Sequence, residues 1–307
     1  MQNIIKRRNF VKSLIAAPTL ATPGFFLAVS PLLKRDAGKT SAGSKLRISL
    51  NAYSFNDPLT KKKMTLDDLL DFCADNEFDA VDLTGYYFPG YPAVPEDNYI
   101  YHLKQKAHKL GLDISGTGIK NDFTNPDKTK REEEVKLIKR WIEVAAKLGA
   151  PVIRIFTGIQ IPEGHTWDET AAWMVKDLQE CAAYGKQHGV LVGIQNHNDF
   201  IKTGEQAQKI IEQVNSDWFG LVLDIGSYRT GDPYKQIEST AKYAVNWQLK
   251  ELMFIDGSEQ KTDLKKVIGI IKASGYRGYL PIETLGAGDP KVKVPVFLAE
   301  VRAALGA

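Results

Sequence analysis

The sequence has little cysteine and little histidine. Only two of its 307 residues are cysteines, Cys73 and Cys181, and both fall in stretches with a helical pattern. We predict two buried apolar thiols, and neither a disulfide nor a metal-binding pair. Five histidines are too few for a site that holds several metal ions on imidazole ligands. This argues against a multi-metal abasic-site endonuclease.

A strong excess of charge is also missing. The formal net charge is +3, and part of that excess lies in the first 35 residues, which are rich in lysine and arginine. The remainder is near neutral and shows no basic stripe, so we predict no nucleic-acid partner. The hydrophobic content of 43% and the charged content of 25% are typical of a globular protein.

Long apolar runs are absent after the N-terminal segment, so we predict no stable membrane span after export. The basic segment Lys6 to Lys12 precedes a weakly apolar run from Ser13 to Ser30, which is the composition of a signal peptide. The order R-R-x-F-x-K from Arg7 resembles a twin-arginine signal. We expect a twin-arginine-like signal peptide and linker over residues 1–44 and an exported, periplasmic protein. An uncleaved anchor or an unrelated basic tail is the alternative.

What is present from Lys45 onwards is a regular alternation of short apolar runs and helical patterns. Strands that alternate with helices indicate a parallel sheet. Eight repeats in roughly 260 residues match the size of a (β/α)8 TIM barrel, so we predict a single barrel over residues 45–307. We predict its third strand over Leu112–Ser115 and its sixth helix near Pro233 to Tyr243. A doubly wound open sheet is the alternative, but no strand is followed by G-x-G-x-x-G, so a dinucleotide site has no support.

Polar side chains follow these apolar runs. The clearest examples are Val190 to His197, Phe219 to Asp224 and Tyr279 to Glu283. In a parallel barrel the carboxyl ends of the strands meet at one mouth, where ligands bind. The polar residues expected there are Asn51, Tyr53, Lys120, Asn121, Asp122, Arg154, Gln195, His197, Asp224, Gln248, Lys250 and Glu283.

Two of these residues are carboxylates that end mainly apolar strands, Asp224 and Glu283. A buried carboxylate is costly unless it is paired or bound to a metal. An ion pair with Lys250 or Arg154 is one explanation. The other is a divalent ion, because carboxylate and amide oxygens form the hard ligand set that suits Mg or Mn. The predicted metal ligands are Gln195, Asp224, Gln248 and Glu283.

Four motifs resemble those of one family. They are Ile194-Gln195-Asn196-His197, Leu223-Asp224-Ile225-Gly226, Trp247-Gln248-Leu249-Lys250-Glu251 and Pro281-Ile282-Glu283. They are similar to the E-N-H, L-D-x-G, H-x-K-D and I-E motifs of the sugar phosphate isomerases/epimerases with a xylose-isomerase-like barrel, over Lys45 to the C terminus. The resemblance implies one divalent metal on Glu, Asp, His and Glu, and two glutamates that exchange protons with a ketose.

The sequence departs from that family pattern at three positions. Gln195 stands at the first Glu, Gln248 at the His, and Ser227 where many sugar epimerases have a substrate-binding His. A neutral amide supplies less charge to a metal than a carboxylate does, and it exchanges no proton near pH 7. We therefore expect a substituted metal site and doubt two-base epimerisation.

The resemblance and these departures together predict a sugar isomerase or epimerase-like enzyme that abstracts a proton next to a carbonyl. Its substrate is an unphosphorylated sugar or keto-sugar. Glu283 is the expected base, a metal or Lys250 polarises the oxygen, and His197 or Lys250 returns the proton. The expected substrate-binding residues are Tyr53, Lys120, Asn121, Arg154, Asn196 and Trp247.

Other outcomes are left open by the sequence. A keto-glycoside lyase that works by β-elimination is one, and a non-catalytic carbohydrate-binding protein on a degenerate barrel is another. A homo-oligomer is also left open. Aromatic candidates for the walls of the sugar site are Tyr53, Tyr86, Tyr87, Phe88, Phe123 and Trp247.

Overall fold

The predicted barrel is confirmed. A computed structural model describes residues 46–306. The strands are β1 (Arg47–Asn51), β2 (Ala80–Thr84), β3 (Asp113–Gly118), β4 (Val152–Ile155), β5 (Leu191–Gln195), β6 (Phe219–Asp224), β7 (Ala244–Lys250), β8 (Leu252–Ile255), β9 (Ser258–Lys261) and β10 (Tyr279–Glu283). Eight of them are parallel and close into a ring in the order β1-β10-β7-β6-β5-β4-β3-β2. Pairing of β1 with β10 closes the ring, so the open-sheet alternative does not hold.

Helices connect the barrel strands. They are α1 (Asn56–Thr60), α2 (Leu66–Asp75), α3 (Asp97–Lys109), α4 (Lys128–Leu148), α5 (Trp167–His188), α6 (Gly204–Val214), α7 (Pro233–Thr240), α8 (Leu264–Ala273) and α9 (Pro290–Leu305). Thr65, Thr166 and Thr203 close capping boxes at the starts of α2, α5 and α6. α4 and α5 each end at a glycine in the left-handed conformation. Local sequence therefore fixes where these helices begin and end.

Two predicted boundaries were wrong. β3 continues to Gly118, three residues beyond the predicted end, and its two glycines, Gly116 and Gly118, leave room for side chains of the neighbouring strands. A Cβ atom at Gly118 would lie 2.8 Å from the guanidinium of Arg154, which projects from the neighbouring strand. α7 ends at Thr240 and is followed by a single 3-10 turn, Ala241–Tyr243.

The short helix α1 was not predicted, and neither was an antiparallel hairpin formed by β8 and β9 outside the barrel. Its turn residues, Asp256 and Gly257, have φ angles of 49° and 78°. Two residues with positive φ are what a tight type I′ hairpin requires, and an Asp-Gly pair is a strong sequence signal for it. The hairpin brings Leu252 and Glu259 to the rim of the barrel mouth.

Both cysteines are buried and unbridged, as predicted. No helix within residues 46–306 is long and apolar enough to cross a bilayer. The predicted signal peptide and linker, residues 1–44, lie outside the described residues.

Candidate active site

A cavity of about 600 Å³ opens at the carboxyl ends of the barrel strands. Its location agrees with the rule that this end of a (β/α)8 barrel carries the site. Most of the residues predicted at the mouth line it, namely Asn51, Tyr53, Lys120, Asn121, Arg154, Gln195, His197, Asp224, Gln248, Lys250 and Glu283.

Two predicted substrate-binding residues do not line the cavity. Asn196 is fully buried, and its amide donates to the carbonyl oxygen of Asp224 and accepts from the Asp224 amide, both at 2.9 Å. It therefore fastens β5 to β6. Trp247 is also fully buried, and its ring lies 6.1 Å from that of Tyr276. Neighbouring residues of a strand point to opposite faces, so Trp247 turns away from the mouth that Gln248 faces.

The centre of the cavity holds an ion cluster. The ammonium nitrogen Nζ of Lys250 lies 2.5 Å from Oε1 of Glu283 and 3.4 Å from Oδ2 of Asp224. All three side chains are largely buried. Strand register places them together, because Lys250 pairs with Glu283 across β7 and β10 and Asp224 pairs with Gln248 across β6 and β7.

Lys250 is the cation of this cluster at neutral pH. Burial alone would lower its pKa, but the negative charges of Asp224 and Glu283 and the hydrogen bonds to them outweigh that effect and raise it. The ammonium group therefore stays protonated well above pH 7, so Lys250 acts as a fixed positive charge and not as a group that exchanges protons.

Gln195 completes the cluster as a hydrogen-bond donor. Its amide nitrogen Nε2 donates to Oδ2 of Asp224 at 2.8 Å and to Oε1 of Gln248 at 2.6 Å. The other carboxylate oxygen of Asp224 accepts from the backbone N–H of Gly226 at 3.0 Å. A flipped Gln195 amide would place its oxygen against two acceptor oxygens, so the network fixes the direction of the amide.

This arrangement does not fit a divalent ion as it stands. Gln195 turns N–H groups, not its oxygen, towards Asp224, and Lys250 contacts both carboxylates. Among residues 46–306, no group of three or more His, Cys, Asp or Glu side chains is placed to hold a metal ion. The ion pair with Lys250, the first of the two explanations for the buried carboxylates, is the one that the geometry displays.

A histidine–aspartate pair lies on another side of the cavity. Nδ1 of His197 is 2.6 Å from Oδ2 of Asp199, and the imidazole ring packs against Phe156 with centroids 5.0 Å apart. A carboxylate on Nδ1 favours the tautomer whose Nε2 is free to accept a proton. Sequence analysis missed Asp199, although the H-x-D spacing was a usable signal. β6 and β7 separate the strand that leads into His197 from the strand that carries Glu283.

Aromatic rings and a buried cation form the remaining wall. The guanidinium of Arg154 lies 4.2 Å from the ring centroid of Phe156 and 5.4 Å from that of Tyr86. Burial raises the pKa of Tyr86 to about 12, so its phenol is neutral. Asn121 binds both the N–H and the carbonyl of Phe156 at 2.8 Å and holds that wall in place. Of the predicted aromatic candidates, Tyr53 and Tyr86 line the cavity.

Several lining residues were not predicted from the sequence as site residues. Most of them lie in loops and in the hairpin, beyond the strand ends and the family motifs. Gly226 and Glu251 belong to the motifs, and Phe156 directly follows β4, but none of the three was predicted to line the site. The unpredicted lining residues are Phe156, Gly158, Ile159, Asp199, Gly226, Arg229, Glu251, Leu252, Glu259, Leu285 and Gly286. Ile159, Leu252 and Leu285 are exposed apolar side chains on the rim.

Comparisons with solved structures return sugar epimerases of the same fold. D-psicose 3-epimerase with D-tagatose from Clostridium cellulolyticum H10 is 15% identical with a TM-score of 0.71, over 85% of this chain and 99% of that one. 3-Keto-D-glucoside 4-epimerase from E. coli is 15% identical with a TM-score of 0.67, over 84% and 100%. L-Ribulose 3-epimerase is 17% identical with a TM-score of 0.68, over 85% and 95%.

At these identities the solved structures establish the fold alone. No curated protein matches the sequence. A family model described as xylose isomerase-like TIM barrel matches residues 70–296, which is most of the barrel. On that match, the chain belongs to the xylose isomerase-like TIM barrel family.

Proposed function

We propose that the protein is an isomerase-class enzyme that acts on an unphosphorylated keto-sugar by removing a proton next to the carbonyl group. The observation that carries this proposal is the buried pair of Glu283 and Lys250 in the barrel cavity. A carboxylate base beside a fixed cation is the combination that enolisation needs. The similarity of the fold to sugar epimerases supports the choice of substrate class.

Glu283 is the proposed base. One of its oxygens binds Lys250, and no hydrogen bond joins the other oxygen to any residue between 46 and 306. That second oxygen takes the proton from the carbon next to the carbonyl. The electron pair of the broken C–H bond then moves onto the carbonyl oxygen, and the ammonium of Lys250 stabilises the negative charge that develops there.

His197 is the proposed partner that returns a proton to the enediolate. Asp199 holds Nδ1, which leaves Nε2 for exchange with the sugar. Because His197 and Glu283 approach the cavity from strands separated by two others, the proton removed and the proton returned need not use the same face of the sugar. This second exchanging group compensates for the glutamine at the first glutamate position.

The substrate is proposed to be an uncharged sugar. Arg154, a cation that would otherwise suit phosphate, is stacked on Phe156 and donates to the carbonyl of Ile119 at 2.6 Å. The rings of Tyr86 and Phe156 offer the apolar faces on which a sugar stacks. The export signal proposed for residues 1–44 also favours an unphosphorylated substrate.

A keto-glycoside lyase is the second candidate, and the His197–Asp199 pair is the observation that favours it. Once Glu283 has removed the proton next to the carbonyl, a protonated imidazole is placed to protonate a leaving alkoxide on the next carbon. The C–O bond would break as the enolate collapses to an unsaturated ketone. The same cavity and the same base serve both reactions.

The test is solvent-deuterium exchange followed by NMR. The protein is incubated in D2O with D-psicose, D-tagatose, D-fructose, L-ribulose and a 3-keto-D-glucoside. We expect deuterium next to the carbonyl of at least one of them, and a loss of about 100-fold to 10,000-fold in that rate for Glu283→Gln. The matched control is Glu77→Gln, an exposed glutamate distant from the cavity.

Three other results would each carry a different meaning. Release of an alcohol from the keto-glucoside would identify the lyase. Binding in calorimetry without exchange into any bound sugar would identify the non-catalytic binding protein. Full exchange activity in Glu283→Gln would contradict the assignment of the base.

A further inference from the structure

We propose that the ammonium group of Lys250 takes the place of a divalent cation in this site, so that the protein binds no divalent metal ion in its barrel cavity. The role of that ammonium in catalysis rests on the function proposed above. The exclusion of the ion does not, because it follows from the packing of the cluster.

Charge is the first argument. Asp224 and Glu283 are the two carboxylates that would neutralise a divalent ion, and Lys250 already contacts both of them. An ion bound to the same oxygens would lie within a few ångströms of a buried ammonium group. Like charges repel strongly at that distance when water is excluded. The H-x-K-D motif of the metal-binding family also contains a lysine, but there a glutamate at the position of Gln195 supplies a third carboxylate. Here Lys250 leaves the two carboxylates with a net charge of only −1, which is too little for a divalent ion beside a buried ammonium.

The two glutamines provide the second argument. A metal needs their oxygens, yet Gln195 directs N–H groups to Asp224 and to Gln248. Rotating Gln195 to present its oxygen would break both hydrogen bonds and leave a buried acceptor facing acceptors. Unsatisfied buried polar groups of this kind are costly. The glutamines therefore stabilise the carboxylate of Asp224 beside Lys250 and do not form half of a metal site.

The position of the lysine stem is the third argument. A Cβ atom at residue 226 would lie 3.0 Å from Cγ of Lys250, so glycine there leaves the space that the stem fills. The carbonyl of Lys250 accepts a hydrogen bond from the hydroxyl of Thr262 at 2.8 Å. Backbone register also holds Lys250 beside Glu283 on the next strand. These contacts fix the backbone and the base of the lysine stem, and the ammonium at its end is held by Glu283 and Asp224.

The experiment is equilibrium dialysis of the metal-stripped full chain against Mn²⁺, with bound Mn²⁺ measured by elemental analysis. Three forms are compared: the wild type, Lys250→Met, and a triple variant carrying Lys250→Met, Gln195→Glu and Gln248→His. The matched control is Lys139→Met, which removes a lysine paired with Glu180 at 2.6 Å on the protein surface. Thermal unfolding verifies that each form is folded.

We expect no saturable Mn²⁺ binding to the wild type or to Lys139→Met at up to 1 mM Mn²⁺. The triple variant should bind one Mn²⁺ per chain, tighter by a factor of about 100 or more, because it regains two ligands and loses the competing charge. Lys250→Met alone should gain part of that affinity, since it leaves the two buried carboxylates without their cation.

Two results would overturn the proposal. One is a wild-type protein that binds one Mn²⁺ per chain and loses it in Asp224→Asn. The other is a folded triple variant that binds no more Mn²⁺ than the wild type. Inactivity of the wild type on every sugar tested would refute the proposed function and leave this proposal standing, because Mn²⁺ binding is measured without turnover.

Discussion

Asp82 is a buried acid that neither the family motifs nor the proposed reaction uses. It lies on β2 inside the barrel and is only 7% exposed. Burial, with a smaller contribution from the charge of Glu283, raises its pKa to about 7 against the opposing effect of the Arg154 charge. Near neutral pH, Asp82 is therefore partly protonated in the folded protein, whereas it is ionised in the unfolded chain.

The first prediction concerns the effect of this group on stability. Between pH 4 and pH 7 the folded state holds a proton on Asp82 that the unfolded chain has lost, so stability falls as the pH rises. The difference between the ordinary and the raised pKa corresponds to about 4 kcal/mol. Relative to the wild type, Asp82→Asn should gain up to that amount between pH 4 and pH 8, measured by urea unfolding.

The control for this measurement is Asp217→Asn, which removes an exposed aspartate. Its stability should follow the wild-type pH dependence within experimental error. A difference between Asp82→Asn and the wild type that stays constant from pH 4 to pH 8 would show that Asp82 is ionised in the folded state.

Sequence alone locates residues that end apolar strands, because a short apolar run with a polar terminus is a local pattern. Gln195, Asp224 and Glu283 were placed correctly at the mouth for that reason. The direction of an amide, such as that of Gln195, depends on which neighbours reach it across three strands. Likewise, Trp247 and Gln248 are adjacent on β7 and face opposite sides of the strand. An error of one residue in the predicted register would exchange which of them faces the cavity.

At the scale of elements, the hairpin of β8 and β9 is an addition to the barrel that borders the cavity. It contributes Leu252 and Glu259 to the rim and makes no strand pair with the barrel. A two-stranded hairpin depends on its turn for register. The hairpin is thus expected to affect how substrate is held more than how the barrel folds.

Gly257→Val tests this expectation. Valine is strained at a φ of 78°, so the turn should open and the rim should lose its shape. We expect KM for the sugar to rise about three- to tenfold, which corresponds to roughly 1 kcal/mol of binding, with little change in Tm.

The matched control is Gly275→Val. Gly275 has the same φ of 78°, but it lies between α8 and the amino-terminal end of β10 and does not line the cavity. It should lower Tm and leave KM unchanged. Equal effects of the two substitutions on KM would show that the hairpin has no part in binding.

The ends of the helices were predicted better than the ends of the strands, because helix ends are capped by residues that lie next to them in the sequence. The left-handed glycines after α4 and α5, and Thr166 before α5, satisfy helix ends with groups that lie next to them in sequence. The hairpin was missed because four-residue strands carry little periodicity. The end of β3 was missed because its glycines are required by side chains far away in the sequence: Gly116 lies against Asp82, and Gly118 lies against Arg154.

At the scale of the whole molecule, the N-terminal segment bears on the compartment in which the protein acts. The proposal of export rests on the R-R-x-F-x-K order at residues 7–12 and on the apolar run that follows. The family match begins at residue 70, so the family itself provides no information about the leader.

The prediction at this scale is that the paired substitution Arg7→Lys and Arg8→Lys stops export. Lysine keeps the positive charge, so a loss of export would show that the arginine pair is read as a motif. The measurement is the share of the protein in periplasmic and cytoplasmic fractions. The control is Lys34→Arg with Arg35→Lys, which exchanges two basic residues outside the motif. Periplasmic protein in both variants would contradict a twin-arginine signal.

Closure of the ring has a consequence for the order of events during synthesis. β1 is among the first barrel segments to leave the ribosome, but one of its two strand partners, β10, is made about 230 residues later. At typical rates of translation that interval is about 10 to 50 s. Throughout it, one edge of β1 has unpaired N–H and C=O groups, a template for pairing with other chains. An export leader that is recognised early in synthesis would therefore be attached to an unfinished barrel. The yield of folded protein then depends on protection of the free edge of β1 until β10 has been made.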